Sequence, residues 1–241
     1  MGNNTVKVTE DLVKNIESHL RLERVAGIPR IVTESEQTND LLTGTSLAEL
    51  RALEAEALGC KKCRLCEGRT KVVFGSGCEV SPLVAFVGEG PGAEEDRQGK
   101  PFVGRAGELL TGAITKGMGL DRETQTYICN IVKCRPPENR APLPDESAAC
   151  TPYLFKQLEL IQPKVVVSLG ASALRGLCGI EGGITKLRGT WMEWRGFKLM
   201  PTLHPAYLLR NPPAKKDFWA DLQEVMRYLG LPVTEKIPEK M

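Results

Sequence analysis

VAFVGEGPGAEEDRQGKPFVGRAG, residues 84–107, places a short apolar strand, a glycine-rich turn, three successive acids and one aromatic in a single stretch. Val84 to Val87 reads as a buried strand. Gly88, Gly90, Pro91 and Gly92 then forbid simple continuation as strand or helix, and helical periodicity resumes only near Gly104. A loop this long at the end of a strand, carrying Glu94, Glu95 and Asp96 ahead of Phe102, is where an open α/β sheet keeps its ligand site. Gly88, Gly90 and Ala93 also fit the dinucleotide fingerprint G-x-G-x-x-G/A. That fingerprint needs a helix opening at the third small residue to face a diphosphate, and three adjacent carboxylates would repel one, so a nicotinamide-dependent enzyme is the weaker reading.

With 241 residues, 41% of them hydrophobic, the chain can bury one large core or two small ones, and one core plus an N-terminal appendage is the simpler arrangement. A net charge of +2 does not announce a nucleic-acid binder. Its distribution is more telling: Lys186, Arg188, Arg195, Lys198, Arg210, Lys215 and Lys216 face Glu193 alone between residues 186 and 216. No run approaches a membrane span, and the N-terminus lacks the apolar core of a secretory signal. A cytoplasmic monomer is expected. Eight cysteines in an intracellular chain favour metal or redox chemistry over a disulfide framework.

Outward from the opening stretch, the pattern predicts an N-terminal extension over residues 1–45, with a charged amphipathic helix at 9–26 and a polar linker from Pro29 to Thr45. Ser46 is expected to cap a helix running through Leu58. Strands are predicted at 126–132, 164–169, 191–194 and 198–202, with helices at 104–118, 145–161, 171–177 and 215–229. The main domain spans 46–232 and a tail follows at 233–241. Strands alternating with helices imply a parallel sheet covered on both faces, with ligands at the carboxyl ends of the strands.

Cys60 and Cys63 form a C-x-x-C pair in GCKKCRLCEGR, and Cys134 and Cys150 bracket a proline-rich loop. Four thiolates suit tetrahedral zinc or an iron-sulfur cluster, and the spacing leaves the metal open. Cys60, Cys63 and Cys66 form a rival set that copies the tight run of ferredoxins. Cys129 and Cys178, in apolar surroundings, read as core thiols.

GEGPGAEED with Gly99 to Phe102, NIVKCRPPENRAPLPDE from Asn130, and HPAYLLRNP from His204 together closely resemble the iron-sulfur, family 4 uracil-DNA glycosylases. The resemblance runs from about Gly59 to Leu229 and leaves the N-terminal segment outside. It implies a three-layer α/β fold with a four-stranded parallel sheet between helices. It also implies a [4Fe-4S] cluster held by Cys60, Cys63, Cys134 and Cys150, with Cys66 outside the set. The partner implied is uracil-containing DNA, single- or double-stranded, and the reaction is hydrolysis of the N-glycosidic bond after the nucleotide is flipped out.

Each residue then acquires an expected part. Phe102 offers a stacking surface, Asn130 can accept from uracil N3–H and donate to O4, and His204 is the donor to O2. In the wider superfamily an aspartate handles the water at the place held here by Gly90. The resemblance transfers that duty to Glu95, with Glu89 shaping the pocket through its backbone. Tyr207, Leu208 and Leu209 with Arg210 are expected to touch DNA, the apolar tip filling the gap left by the flipped base. A covalent variant carrying a histidine in a KRRIH-like loop is discounted, because ITKLRG at 184–189 has none. The alternative is a non-catalytic iron-sulfur DNA-binding or redox module, which would need the cysteines but not Asn130 and His204.

Overall fold

The computed structural model describes residues 34–238, with side chains from residue 44. The chain divides at Leu42 and Thr43, and the second unit carries everything below. The expected helix at 9–26 lies outside the described residues. Helix α1, Glu34–Leu58, is longer than the sequence suggested: the expected linker enters it, and Ser46 lies inside it instead of capping it.

The sheet is built on four strands, β2 (Val84–Gly88), β3 (Thr126–Asn130), β4 (Val165–Leu169) and β6 (Phe197–Thr202), which run parallel in the order β3-β2-β4-β6. Two short antiparallel edges, β1 (Ser76–Gly77) on β3 and β5 (Met192–Trp194) on β6, raise the expected four strands to six. The second edge follows from its turn. Arg195 and Gly196 both have positive φ, 49° and 82°, the two-residue geometry that folds a strand back on its neighbour.

Alternation along the strands sorts the core into two layers. Val84, Phe86, Val165, Val167 and Met200 face one way, onto Leu109 and Leu110 of α4 (Arg105–Gly112) and onto Phe218, Trp219, Leu222 and Val225 of α9 (Lys215–Tyr228). Ala85, Val87, Cys129, Val166 and Leu199 face the other way. They meet Leu50 of α1, Leu154 and Leu158 of α5 (Pro144–Ile161), and Leu174 and Leu177 of α6 (Ala171–Cys178). Both faces of the sheet are thus covered, which is why its strands read as continuous apolar runs. Cys129 is fully buried among them, as expected of a core thiol.

The acidic stretch corrects the sequence reading. A helix does open there: α3, Ala93–Gln98, starts from Gly92 and ends at Gly99, whose φ is 80°. Its three acids sit in the first turn, where the helix dipole favours negative charge. They then divide their work. Glu94 pairs with Arg97 and Gln98 on the surface, Asp96 is buried and accepts from the backbone N–H groups of Thr70 and Lys71, and Glu95 turns towards the cleft described below.

A second correction concerns α8, Pro205–Arg210. Leu208 is fully buried in the core, whereas Tyr207 and Leu209 are each 38% exposed, so Leu208 cannot be part of an apolar tip that enters DNA. One helical turn cannot present three successive residues on one face. Leu208→Ala should therefore lower unfolding free energy by about 2–5 kcal/mol through the cavity it leaves, and Leu209→Ala by under about 0.5 kcal/mol. Denaturant titration of the two variants measures the difference, and equal losses would contradict this placement.

Candidate functional site

The chain winds outward from β2 to β3 on one side and from β4 to β6 on the other, so the order reverses between the neighbours β2 and β4 and opens a crevice at their carboxyl ends. A cleft of about 500 Å³ occupies that position, lined by Glu89, Gly90, Glu95, Phe102, Asn130, His204 and Arg210 together with Pro136, Asn139, Arg140 and others. The expected catalytic and base-contacting residues are thus gathered in one place, although they are drawn from three separate segments of the chain. Among the described residues, no helix is long and apolar enough to cross a membrane.

Asn130 ends β3 directly beside Gly88, which ends β2 in register with it. Its side chain is 1% exposed, and neither Nδ2 nor Oδ1 has a hydrogen-bond partner. An amide buried in that state forfeits on the order of 1–3 kcal/mol for each unmade bond, which identifies a group awaiting a ligand that offers both a donor and an acceptor. Gly88 is small for a reason visible here: a Cβ there would lie 2.4 Å from Asn130 Oδ1 and 2.7 Å from the Phe102 ring.

Phe102 closes the slot in a left-handed backbone conformation, φ 52°, that a phenylalanine rarely adopts. The surroundings hold it there. Arg122 donates to the carbonyl of Pro101 at 2.8 Å, a Cβ on Gly107 would strike the Phe102 carbonyl, and Glu95 Oε1 accepts from the N–H groups of Val103 and Gly104 at 3.0 Å each. Glu95 therefore uses one oxygen to fix the loop that carries Phe102, and its other oxygen lies close to Gly92 on the cleft wall. The Phe102 ring stands 5.7 Å from the His204 ring.

His204 follows β6 and begins α8. Its Nδ1 accepts from the N–H of Ala206 at 3.1 Å, so the neutral ring carries its proton on Nε2 and can donate from there. Burial pushes the imidazole down to about 4, Arg210 adds to that, and Glu95 opposes it. The ring is therefore uncharged at neutral pH. Behind it, Thr202 donates to Asp221, which also accepts from Arg188, and a Cβ on Gly170 would lie 3.0 Å from the His204 Cβ.

The basic stretch is less free than its composition suggested. Arg188 is committed to Asp221, Arg195 to Glu159 and Lys198 to Glu193. Arg210 remains on the cleft wall beside exposed Tyr207 and Leu209.

On the other side of the sheet, Cys60, Cys63, Cys134 and Cys150 line one small cavity whose walls are almost wholly apolar, with Arg69, Lys133 and Tyr153 around them. Cys66 lines it too, so the cavity offers five thiols where the resemblance implies four. Burial pushes the thiols of Cys63 and Cys134 up, and that of Cys150 up to about 11. Arg69 donates to Cys134 Sγ at 3.2 Å, and the backbone N–H of Lys133 donates to Cys150 Sγ at 3.3 Å. Among the described residues, no three metal-binding side chains gather as a ligand set for one ion. The donor set is thiols in a shared cavity, the kind of donor that an iron-sulfur group takes.

Sequence reading missed Arg140 and Lys133. Arg140 reaches the cleft because its guanidinium grips buried Glu146 at 2.7 and 2.8 Å, while Glu146 also accepts from the N–H of Leu143 at the start of α5. The signal was present as Glu at the third position of a proline-started helix. Lys133 gave none, since nothing in NIVKC says which way its side chain turns.

The family model described as the uracil DNA glycosylase superfamily matches residues 74–223. The chain is 53% identical to a type-4 uracil-DNA glycosylase of Thermotoga maritima over 156 residues, 63% of this chain and 80% of that one. It is 42% identical to the type-4 enzyme of Sulfurisphaera tokodaii over 184 residues, covering 73% and 83%, and 39% identical to that of Archaeoglobus fulgidus over 183 residues, covering 73% and 90%.

The state of His204 is directly observable. Its folded value lies below the ordinary histidine value, so the unfolded chain takes up the proton first, and the group's contribution to stability is lost as pH falls from about 6.5 towards 4. In a proton NMR titration, the His204 ring should remain neutral at pH 5.5 and titrate near pH 4. A midpoint near 6.5 would contradict a buried neutral donor.

Proposed function

The chain belongs to the uracil DNA glycosylase superfamily and, within it, to the type-4 uracil-DNA glycosylases, and from that premise we propose that its cleft receives a uracil flipped out of DNA and hydrolyses the N-glycosidic bond to leave an abasic site. The observation that carries this reading is the unpartnered buried amide of Asn130. Uracil offers N3–H to Oδ1 and O4 to Nδ2, the complementary pair that the slot lacks. Phe102 supplies the stacking face and the closed end of the slot. Flipping costs a few kcal/mol of unstacking, which these contacts offset.

Bond cleavage leaves negative charge on the base and positive charge on the sugar. The Nε2–H of neutral His204 donates to O2 as that charge develops, and a neutral donor avoids handing the base a proton it does not need. Glu95 holds the Phe102 loop with one carboxylate oxygen and, with the other, orients the attacking water and faces the sugar cation. Glu89 and Gly90 shape the wall against the base, and Gly90 leaves no room for an aspartate, since a Cβ there would lie 2.8 Å from Val132 Cγ2. Tyr207, Leu209 and Arg210 on the outer side of α8 meet the strand. This is a monofunctional reaction: no lysine is among the described residues that line the cleft, and Lys133, three residues past Asn130, is buried and turned onto a backbone carbonyl.

Cys60, Cys63, Cys134 and Cys150 would hold the [4Fe-4S] cluster as thiolates, releasing protons on binding. Bound, it would act as a cross-link, tying the Cys60 segment to the exit of β3 and to α5. The donors from Arg69 and from the Lys133 backbone suit sulfur that bears negative charge.

An oligonucleotide with one uracil, incubated with the protein and then treated with alkali, should be cut at that position; an uncut strand would overturn the reading. His204→Ala should slow single-turnover cleavage by roughly 10²-fold or more with little change in DNA binding. Asn130→Asp should lose most activity on uracil and gain a weak one on cytosine at low pH, where the protonated acid can accept from the amine and donate to N3. Uracil cleavage at the parental rate by this variant would remove Asn130 from base reading. Anaerobically purified protein should be brown, and Cys134→Ser should bleach it while Cys66→Ser leaves the colour; equal loss in both would bring Cys66 into the ligand set.

A further inference from the structure

Lys133 is the sole basic side chain in the buried set among the described residues, and the reaction outlined above makes no use of it. Burying an ammonium is costly unless it is compensated. Its Nζ donates to the backbone carbonyl of Asn130 at 3.0 Å and lies 5.8 Å from the centre of the Phe74 ring. The same residue forms part of the wall of the cysteine cavity; burial pushes its ammonium down from the ordinary lysine range, and the neighbouring Cys129 and Cys150 oppose that. Its own N–H donates to Cys150 Sγ, and the next residue along the chain is Cys134. Asn130 to Cys134 thus spans from the base slot to the cavity, and the Lys133 side chain folds back along that span to grip the peptide of Asn130.

We propose that Lys133 is a positioning residue that couples the base slot to the cysteine cavity: from the cavity wall its Nζ clamps the Asn130 carbonyl and so sets the direction of the Asn130 amide. This rests on the reading of Asn130 as the uracil contact and of the cavity as the cluster site. If the clamp couples the two sites, the coupling is reciprocal, and filling the slot must be felt at the cavity. A lysine that merely fills space would transmit nothing.

The test uses free uracil as the probe and the iron-loaded protein. Calorimetry gives the uracil affinity, and visible circular dichroism reports the surroundings of the cluster. Wild type should show a dichroism change that saturates with the calorimetric Kd. Lys133→Met, similar in length but uncharged, should keep its iron, bind uracil about 10-fold more weakly through loss of the charge-assisted bond, and give no dichroism response. Wild-type dichroism indifferent to saturating uracil would overturn the proposal, as would Lys133→Met binding uracil as tightly as the parent. If Lys133→Met loses its iron, the wild-type titration decides alone. Asn130→Ala separates this proposal from the reading beneath it. Loss of uracil binding in Asn130→Ala but not in Lys133→Met removes only the clamp; retention in both removes the assignment of Asn130 as well.

Discussion

The parallel pairing of β2 with β3 is the constraint on which the site depends, because it sets Gly88 against Asn130 in register at the mouth of the sheet. The pairing satisfies the backbone of Asn130 and leaves its side-chain amide in a dry slot with nothing to bond. No local preference of an asparagine would choose that. The amide stays there because the sheet above and below is packed on both faces, so the unmade bonds draw on stability gained elsewhere. Phe102 follows the same logic: an unfavourable backbone angle is held by Arg122, Glu95 and the absent side chain of Gly107.

The cysteine-bearing segment braces this arrangement from behind. Asp96, one residue after Glu95, receives the N–H groups of Thr70 and Lys71, which follow directly from the Cys60 to Cys66 run. Arg69 ties that run together, donating to the carbonyls of Leu58 and Cys60 and to the sulfur of Cys134. A group that fixed the thiols would thus stiffen both the acid and the amide of the cleft without entering it.

Much of this was legible in the sequence, and the gaps have physical causes. The four central strands announced themselves as apolar runs, and the three cleft motifs lay at strand ends where topology would gather them. The edge at Ser76–Gly77 was missed because two residues carry little periodicity, whereas the edge at Met192–Trp194 had been read as a strand at 191–194. Helix α3 was missed because glycines and acids were read as loop, although a glycine before three acids and another after them is also the signature of a short helix. Leu208 was misassigned because YLLR shows two leucines, and only the helix phase decides which of them faces the core. Lys133 was invisible because its partner, three residues back, is a backbone carbonyl that no residue type marks, whereas Arg140 was passed over with the helix start at Glu146, six residues on, that holds it.

The edges of the sheet carry a consequence for the protein's life in a crowded solution. Both outer strands are stubs, Ser76–Gly77 and Met192–Trp194, antiparallel to the parallel body they flank. A long bare edge is a template on which a second sheet can grow, and parallel sheets assembled from distant segments spend time during folding with such edges uncovered. Two or three residues of reversed strand use up the last row of hydrogen bonds and offer the next chain almost nothing to join. The ends of the sheet therefore act as stops against aggregation, leaving the carboxyl rim as the sheet's open place for another polymer.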